Sequence, residues 1–340
     1  MPRIGLRSAL CFGVALTMAS ALIAPIAQAA PTLAQIQAQV RQLEEDATAA
    51  AEGAQAAKVQ LATLTKTLNG LKQEAAAQGA TVDALRKSLG TIAIEQYKAG
   101  GLSQGLELLF SANPELYLSS AGSLESITRA KSAQLLKFEA AEQRLKATSL
   151  TVNDKLALVQ AAQKKYAQQS AQAKSKLAAA EKILAKLKKE DRARLAALKA
   201  AEEDADQAAS KAYASSAGAI SGRAGIAIKY ALKQIGDRYV FGAAGMVNWD
   251  CSGLTMRAYQ AAGVSLPHSS RAQSSYGRSV SFKALKPGDL LFYGRPISHV
   301  GIYLGGGKMV HAPRSGSRVK VVSNAVTALG SKRLIAVRRF

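Results

Sequence analysis

The feature that most restricts the fold is a long proline-free segment, residues 33–98, whose apolar side chains recur at alternating spacings of three and four. The strongest of these positions are Leu33, Ile36, Val40, Leu43, Ala47, Ala50, Ala54, Ala57, Leu61, Leu64, Leu68 and Leu71. A repeat held over many heptads predicts a coiled coil, here with a helix on the order of 100 Å long. Alanine is frequent at these positions, so each layer buries little area. A single solvated helix or partial disorder is the alternative.

The periodicity breaks and then returns. Residues 99–122 contain glycines, Pro114 and a cluster of large apolar side chains that includes Phe110 and Leu116. Helical spacing resumes at Leu124 and continues to about residue 212, with a stutter near Leu195. Residues 30–212 are therefore predicted to form an antiparallel coiled-coil hairpin, with a parallel dimer as the alternative.

The apolar tip of this hairpin, residues 99–122, has two interpretations. It folds back to cap the hairpin, or it is a docking surface for a membrane partner, because exposed apolar patches mark contacts. After the hairpin, residues 213–222 are rich in Ala, Ser and Gly and predict a flexible linker. Such a linker would allow the hairpin to cover the following domain until a partner pulls it away.

The N-terminal residues 1–29 predict a cleaved secretory signal. Arg3 and Arg7 precede an apolar run that ends in Ala27-Gln28-Ala29. An uncleaved membrane anchor is the alternative, since the run is close to the minimum spanning length. The mature protein is expected to be secreted and to act outside the cytoplasmic membrane.

The charge of the chain indicates an anionic target. Its formal net charge is +22, and residues 223–340 contain only three acidic side chains, Asp237, Asp250 and Asp289. For an exported protein, this basicity favours anionic wall polymers or stem-peptide carboxylates as partners. Nucleic acid is not expected as a partner, because no nucleic-acid-binding motif is present.

Cys251 is the only cysteine that remains if the signal containing Cys11 is removed, so it cannot form an internal disulfide. The segment after it, 252–262, is prone to form a helix that ends at Gly263. Cys251 would then lie at a helix N-terminus, which favours a thiolate of low pKa. His299 and His311 lie in two later segments that predict adjacent strands. A cysteine at a helix start facing histidines on a sheet is a papain-like α+β arrangement.

These residues also carry a family resemblance, which runs in order through Tyr239-Val-Phe-Gly242, Asp250-Cys-Ser-Gly253, Leu266-Pro267 with Ser269-Ser270, Pro287-Gly-Asp-Leu-Leu-Phe292, His299-Val-Gly-Ile-Tyr303 and His311. Residues 223–340 resemble the NlpC family of cell-wall cysteine peptidases. The resemblance implies cleavage of peptidoglycan stem peptides, typically between γ-linked D-glutamate and the diamino acid. The architecture, a coiled coil before such a domain, looks like that of division-associated hydrolases that an ABC-type membrane complex controls.

The chemistry assigns a role to each catalytic candidate. Cys251 is the nucleophile, His299 the general base, and His311 the residue that orients His299, unless it is only a structural polar residue. The resemblance implies substrate contacts from a second set: Tyr239, Asp250, Ser252, Ser269 and Ser270. Tyr239 could equally be a core residue, and Asp250 a helix cap.

One position departs from the family pattern. His268 follows Leu-Pro where arginine is usual, and it is interpreted as a loop residue. No zinc site or other cofactor is expected, because the three histidines and one cysteine are better explained by Cys–His pairing.

Two other functions remain open. One is a thiol amidase or acyl transferase on the same scaffold. The other is a non-catalytic wall-binding scaffold in which the coiled coil is the working part.

Overall fold

The computed structural model describes residues 31–98, 114–218, 220–330 and 332–340. The predicted signal, residues 1–29, and most of the predicted apolar tip, residues 99–113, lie outside the described part. Within the described ranges, no helix combines the length and the apolar character that a membrane span requires.

Two long helices form the predicted hairpin. Helix α1 is Leu33–Lys98 and helix α2 is Pro114–Ala185. Asp46 near the start of α1 pairs with Lys176 near the end of α2 at 3.0 Å, and Arg86 pairs with Glu142 at 3.4 Å. These pairings run in opposite directions along the two helices, so the hairpin is antiparallel, as predicted.

The seam between the helices consists largely of small residues. The buried apolar side chains along it are Ile36, Val40, Ala47, Ala51, Ala54, Ala57, Leu68 and Val82 from α1, and Val159, Ala162, Ala173 and Ala180 from α2. Buried alanine removes little apolar area from water. The hairpin is therefore weakly stabilised along much of its length, and larger apolar side chains cluster at its base around Ile36 and Leu195.

The segment after α2 differs from the prediction in two ways. The chain turns at residues 186–188 and begins a separate helix, α3, Lys189–Ser216. The flexible linker predicted at 213–222 is therefore wrong for residues 213–216, which are helical. The reason is tertiary: Ser210 accepts a hydrogen bond from the Val321 N–H at 2.9 Å, and Tyr213 packs against the C-terminal core. These contacts dock α3 on the C-terminal domain, although an Ala- and Ser-rich composition alone predicted a linker.

The C-terminal domain has the predicted α+β architecture. Its helices are α4 (Gly222–Leu232), α5 (Cys251–Ala261) and the one-turn α6 (Ser270–Gln273). A short parallel pair joins β1 (Arg238–Tyr239) to β2 (Asn248–Trp249). The main sheet contains β3 (Arg278–Ser279), β4 (Leu290–Tyr293), β5 (His299–Gly305), β6 (Lys308–His311), β7 (Lys320–Val322) and β8 (Leu334–Arg339). It is antiparallel, in the order β3-β8-β4-β5-β6-β7.

The sheet is buried on both faces, which fixes the position of its central strands. On β4, Leu290 and Phe292 join the core beneath α4 and α5, whereas Leu291 and Tyr293 join a second cluster on the opposite face. This alternation follows from the two-residue period of a strand. Val300 on β5 belongs to the first core. The beginning of β5 is thereby held against the beginning of α5.

Candidate active site

Cys251 is the first residue of α5, and its environment is set by the helix start. The Asp250 carboxylate caps the helix by accepting a hydrogen bond from the Gly253 N–H at 2.6 Å. The Cys251 side chain is fully buried. The Val300 N–H is directed at the sulfur and by itself lowers the pKa of the thiol. Packing of β5 on α5 therefore brings the residue after His299 into contact with the candidate nucleophile.

His299 and His311 lie together on adjacent strands. His299 Nε2 is 2.8 Å from His311 Nδ1, and the two rings are perpendicular. This bond engages one nitrogen of His299 and leaves its Nδ1 to exchange a proton with a substrate or the thiol. Burial lowers the pKa of both imidazoles, assisted for His299 by the charge of its neighbour, and the pKa of His311 falls to about 3. Both rings are therefore neutral at neutral pH in this conformation.

Both oxygens of the buried Asp250 carboxylate make hydrogen-bond contacts within the protein. It accepts hydrogen bonds from the N–H groups of Gly242 and Gly253, and the Ser252 hydroxyl oxygen lies 3.1 Å from its Oδ1. His268 Nε2 lies 2.9 and 2.8 Å from its two oxygens. Burial opposes a charge on His268, but the hydrogen bond and the charge of Asp250 outweigh it, so the pKa of His268 is raised. His268 lies in the loop, as predicted, and its contact with Asp250, which favours the protonated ring, is one that the sequence interpretation did not anticipate.

The structure adds one residue that the sequence interpretation did not single out, Glu52 on α1. Its carboxylate Oε1 lies 3.1 Å from Cys251 Sγ and 2.7 Å from Ser252 Oγ. Its Oε2 accepts from the Ser270 N–H at 2.9 Å and from the Ser270 hydroxyl at 2.7 Å. A signal was present in the sequence: Glu52 is the only acidic residue between Asp46 and Glu74, and alanine and glycine flank it.

Burial, together with Glu52, opposes the expected ionisation of the nucleophile. Burial raises the pKa of the Cys251 thiol well above its ordinary value, and the charges of Glu52 and Asp250 raise it further. Burial and the charge of Asp250 also raise the pKa of Glu52. In this conformation the surroundings of Cys251 therefore disfavour the low-pKa thiolate predicted from the helix start, and the sulfur lies within hydrogen-bond distance of the Glu52 carboxyl group.

The remaining predicted substrate contacts divide into two groups. Ser252 and Ser270 face the Glu52 carboxylate directly. Ser269 instead caps α6, since its hydroxyl accepts from the Ala272 N–H at 3.3 Å. Tyr239 is buried beside the site, where burial and then the charges of Cys251 and Asp250 raise the pKa of its phenol.

Helix α1 covers the cleft on both sides of Glu52. On one side, Gln55 is buried against the glycine turn at Gly242. On the other, the Glu44 carboxylate pairs with Lys199 on α3 at 2.9 Å and with Arg314 at 3.3 Å. Helix α1 thus closes the cleft with the Glu52 carboxylate beside the sulfur and with the ion pairs of Glu44 at the edge of the contact. The Cys251 thiol has no exposed surface.

A cysteine at a helix start, held against the strand that carries one of two hydrogen-bonded histidines, is the arrangement of a cysteine peptidase. Residues 236–339 match the family model described as "NlpC/P60 family", and this part of the chain belongs to that family.

Two curated relatives and one solved structure are similar to part of this chain. A probable endopeptidase of Mycobacterium tuberculosis is 46% identical over 95 residues, which cover 28% of this chain and 25% of the relative. A gamma-D-glutamyl-L-lysine dipeptidyl-peptidase of Bacillus subtilis is 36% identical over 110 residues, 31% of this chain and 37% of that protein. The crystal structure of the NlpC/p60 domain of peptidoglycan hydrolase SagA is 36% identical, covers 34% of this chain and 98% of that one, and gives a TM-score of 0.31. The chain thus spans about a quarter to a third of these curated relatives.

Proposed function

We propose that this protein is a secreted peptidoglycan endopeptidase that hydrolyses stem peptides and is held latent by its own coiled coil. The observation that carries the proposal is Glu52, an α1 carboxylate bonded to Cys251, Ser252 and Ser270 in the cleft of an NlpC/P60 domain. Export is supported by the predicted signal segment, and the net charge of +22 suits an anionic wall.

The reaction follows from the Cys–His geometry. With α1 displaced, His299 removes the thiol proton, and the Cys251 sulfur attacks the scissile carbonyl carbon. The Cys251 backbone N–H at the helix start stabilises the resulting oxyanion. Collapse of this intermediate breaks the C–N bond, His299 protonates the leaving amine, and a thioester remains. Water, deprotonated by His299, then hydrolyses the thioester and restores the thiol, while His311 keeps the His299 ring oriented.

The pocket that holds Glu52 also suggests what the acyl side of the substrate carries. Two serine hydroxyls and the Ser270 N–H donate to one carboxylate within reach of the sulfur. A γ-linked D-glutamate has a free α-carboxylate near its scissile carbonyl, and the same donors would bind it. In this proposal, Glu52 occupies the substrate's carboxylate site, and cleavage takes place after γ-D-glutamate.

Activation requires removal of α1 from the cleft. The alanine-rich seam of the hairpin is weakly stabilised, so a force applied at the far end can be transmitted to the segment around Glu52. An ABC-type membrane complex of the division machinery is the proposed source of this force, with the apolar tip at residues 99–122 as its contact. Pull-down with Phe110 and Leu116 changed to serine tests the contact, and undiminished capture of the complex would count against it.

Mass spectrometry of the products from defined muropeptides tests the activity. The Glu52→Ala chain should release fragments cut after D-glutamate, and the same chain with Cys251→Ala should release none. An amidase would free intact stem peptides instead. Products that persist without Cys251 would contradict thiol catalysis altogether.

A further inference from the structure

The main sheet has two edges, and helix α3 covers one of them. The strand order places β7 at one edge and β3 at the other. On the β7 side, the Ser210 hydroxyl of α3 accepts from the Val321 N–H. Among the described strands, none pairs with the outer side of β3, and its residues Arg278 and Ser279 are both exposed. The β3 edge is therefore a surface open to a partner.

Two aromatic side chains are exposed along this edge. Tyr276, just before β3, is 48% exposed, and Phe282, in the turn after it, is 49% exposed. The other aromatic side chains in the described part of residues 220–340 are buried or half-buried. Charged residues alone protect a free sheet edge from pairing with another chain. The exposed rings therefore indicate a ligand whose faces pack against them.

The same edge is positively charged. Arg278 and Lys283 are exposed here, and residues 251–288 contain no acidic residue. The next carboxylate along the chain, Asp289, is buried and bonded to Arg339. The positive charge of this edge is therefore not balanced by acidic residues of the same segment. Rings and cations together form one surface, the β3 strip, which consists of Tyr276, Arg278, Phe282 and Lys283.

The β3 strip continues from the serine pocket of the cleft. Ser270, a donor of that pocket, begins the one-turn helix α6. The Ser274 carbonyl at the end of α6 accepts from Arg338 Nε at 2.6 Å, and Arg338 lies opposite Ser279 in the β3–β8 pair. Six residues separate Ser270 from Tyr276, a reach of at most about 20 Å. The serine pocket and the strip thus lie on one continuous stretch of the domain.

The proposed reaction determines which part of the substrate lies on this side. The imidazole of His299 protonates the leaving amine, so the acyl part lies toward Ser252 and Ser270. In a stem peptide, the residue before D-glutamate joins the peptide to the sugars of the glycan strand. The strand also carries further stem peptides with free carboxylates. A polymer of sugar rings and anions therefore leaves the cleft on the side of the β3 strip.

We propose that the β3 strip binds the glycan strand that carries the scissile stem peptide. Sugar rings pack on Tyr276 and Phe282. Carboxylates of neighbouring stem peptides pair with Arg278 and Lys283. This inference rests on the proposed function, which sets the direction of the substrate. Because the strip is exposed while α1 fills the cleft, the latent chain binds its strand before α1 moves.

Cosedimentation of the wild-type full chain with purified sacculi, stripped of covalently attached accessory polymers, tests the binding. We expect Arg278→Gln combined with Phe282→Ser to weaken this binding about tenfold, and the wild-type affinity to fall in high salt. The matched control is Arg223→Gln combined with Ile226→Ser on α4. It removes the same charge and an apolar side chain of equal exposure, 49%, and should bind like the wild type.

Phe282→Tyr keeps the ring and should retain most of the binding, which separates ring packing from a general loss of apolar surface. Equal binding by the wild type and the Arg278→Gln, Phe282→Ser chain would overturn the inference. Binding only to sacculi that retain their accessory polymers would overturn the glycan strand as the occupant.

Cleavage separates this inference from the proposed function. In the Glu52→Ala chain, the informative quantity is the rate on stripped sacculi divided by the rate on disaccharide muropeptides released from the same sacculi. Arg278→Gln with Phe282→Ser should lower this ratio about tenfold. An unchanged ratio, with cleavage after D-glutamate, would overturn the strip and leave the endopeptidase standing. Weakened binding by this variant, with neither substrate cleaved by the Glu52→Ala chain, would overturn the endopeptidase and leave a strand-binding surface.

Discussion

Replacing Glu52 with alanine should activate the full chain. The Glu52 carboxylate receives four hydrogen bonds in the closed cleft, from Cys251, Ser252 and twice from Ser270. Hydrogen bonds to a charged group are worth about 1.5–3 kcal/mol each before the cost of burying the charge, and that burial costs several kcal/mol.

At the lower end of the bond energies, the four bonds give roughly 6 kcal/mol, and a burial cost of several kcal/mol leaves about 2–3 kcal/mol as the net contribution of Glu52 to closure. Its loss raises the open fraction roughly 30- to 150-fold, since each 1.4 kcal/mol is a factor of ten. The substitution also favours the Cys251 thiolate, because the charge of Glu52 no longer raises the pKa of the thiol.

The assay is the initial rate of muropeptide cleavage by the wild-type, Glu52→Ala and Glu74→Ala chains at equal concentration. Glu74 is an exposed glutamate on the same helix, so its substitution removes the same charge from α1 without touching the cleft. Alkylation of Cys251 by a small thiol reagent provides a second readout of opening. Equal rates and equal alkylation in all three chains would refute the reasoning that Glu52 holds the cleft shut.

Three further predictions follow from the site. Closure takes up protons, because burial and then neighbouring carboxylates raise the pKa values of Glu52 and Cys251 in the closed state, so its stabilisation is complete at low pH and is lost as pH rises through those raised values. The rate of the wild-type chain relative to Glu52→Ala should therefore rise as the pH is increased above the ordinary range of a glutamate carboxyl group, and a flat ratio would contradict this. His268→Ala removes the ring that contacts the buried Asp250 carboxylate and should lower the unfolding free energy by about 1–3 kcal/mol in thermal denaturation, whereas His268→Arg should restore most of it; equal loss in both would argue against a stabilising contact with Asp250. Within a Glu52→Ala chain, His311→Ala should lower kcat about 10- to 100-fold, less than the same change at His299, with a shifted pH profile that an unaffected base would not show.

Much of the fold could be read from the sequence because its signals are local and periodic. The three-and-four spacing from Leu33 onward predicted α1, and the runs around His299 and His311 predicted the adjacent strands β5 and β6. The break at 186–188 and the helical residues 213–216 were missed, since both depend on where α3 docks. Alanine-rich composition is compatible with a linker and with a helix, and only the contacts of Ser210 and Tyr213 decide between them.

The sequence by itself determined the kind of chemistry available: a single cysteine ahead of a helix, two histidines in successive strands and an ordered set of motifs. Only the tertiary structure determined the pKa values of these groups. The pKa of a thiol depends on every charge and donor within a few ångströms, and Glu52 reaches Cys251 across 199 residues of chain. An isolated helix start favours the thiolate, but burial and a carboxylate beside the sulfur oppose it. The sequence marks Glu52 only as an isolated acidic residue among apolar ones, and its pairing with Cys251 arises because the folded hairpin brings the two groups together.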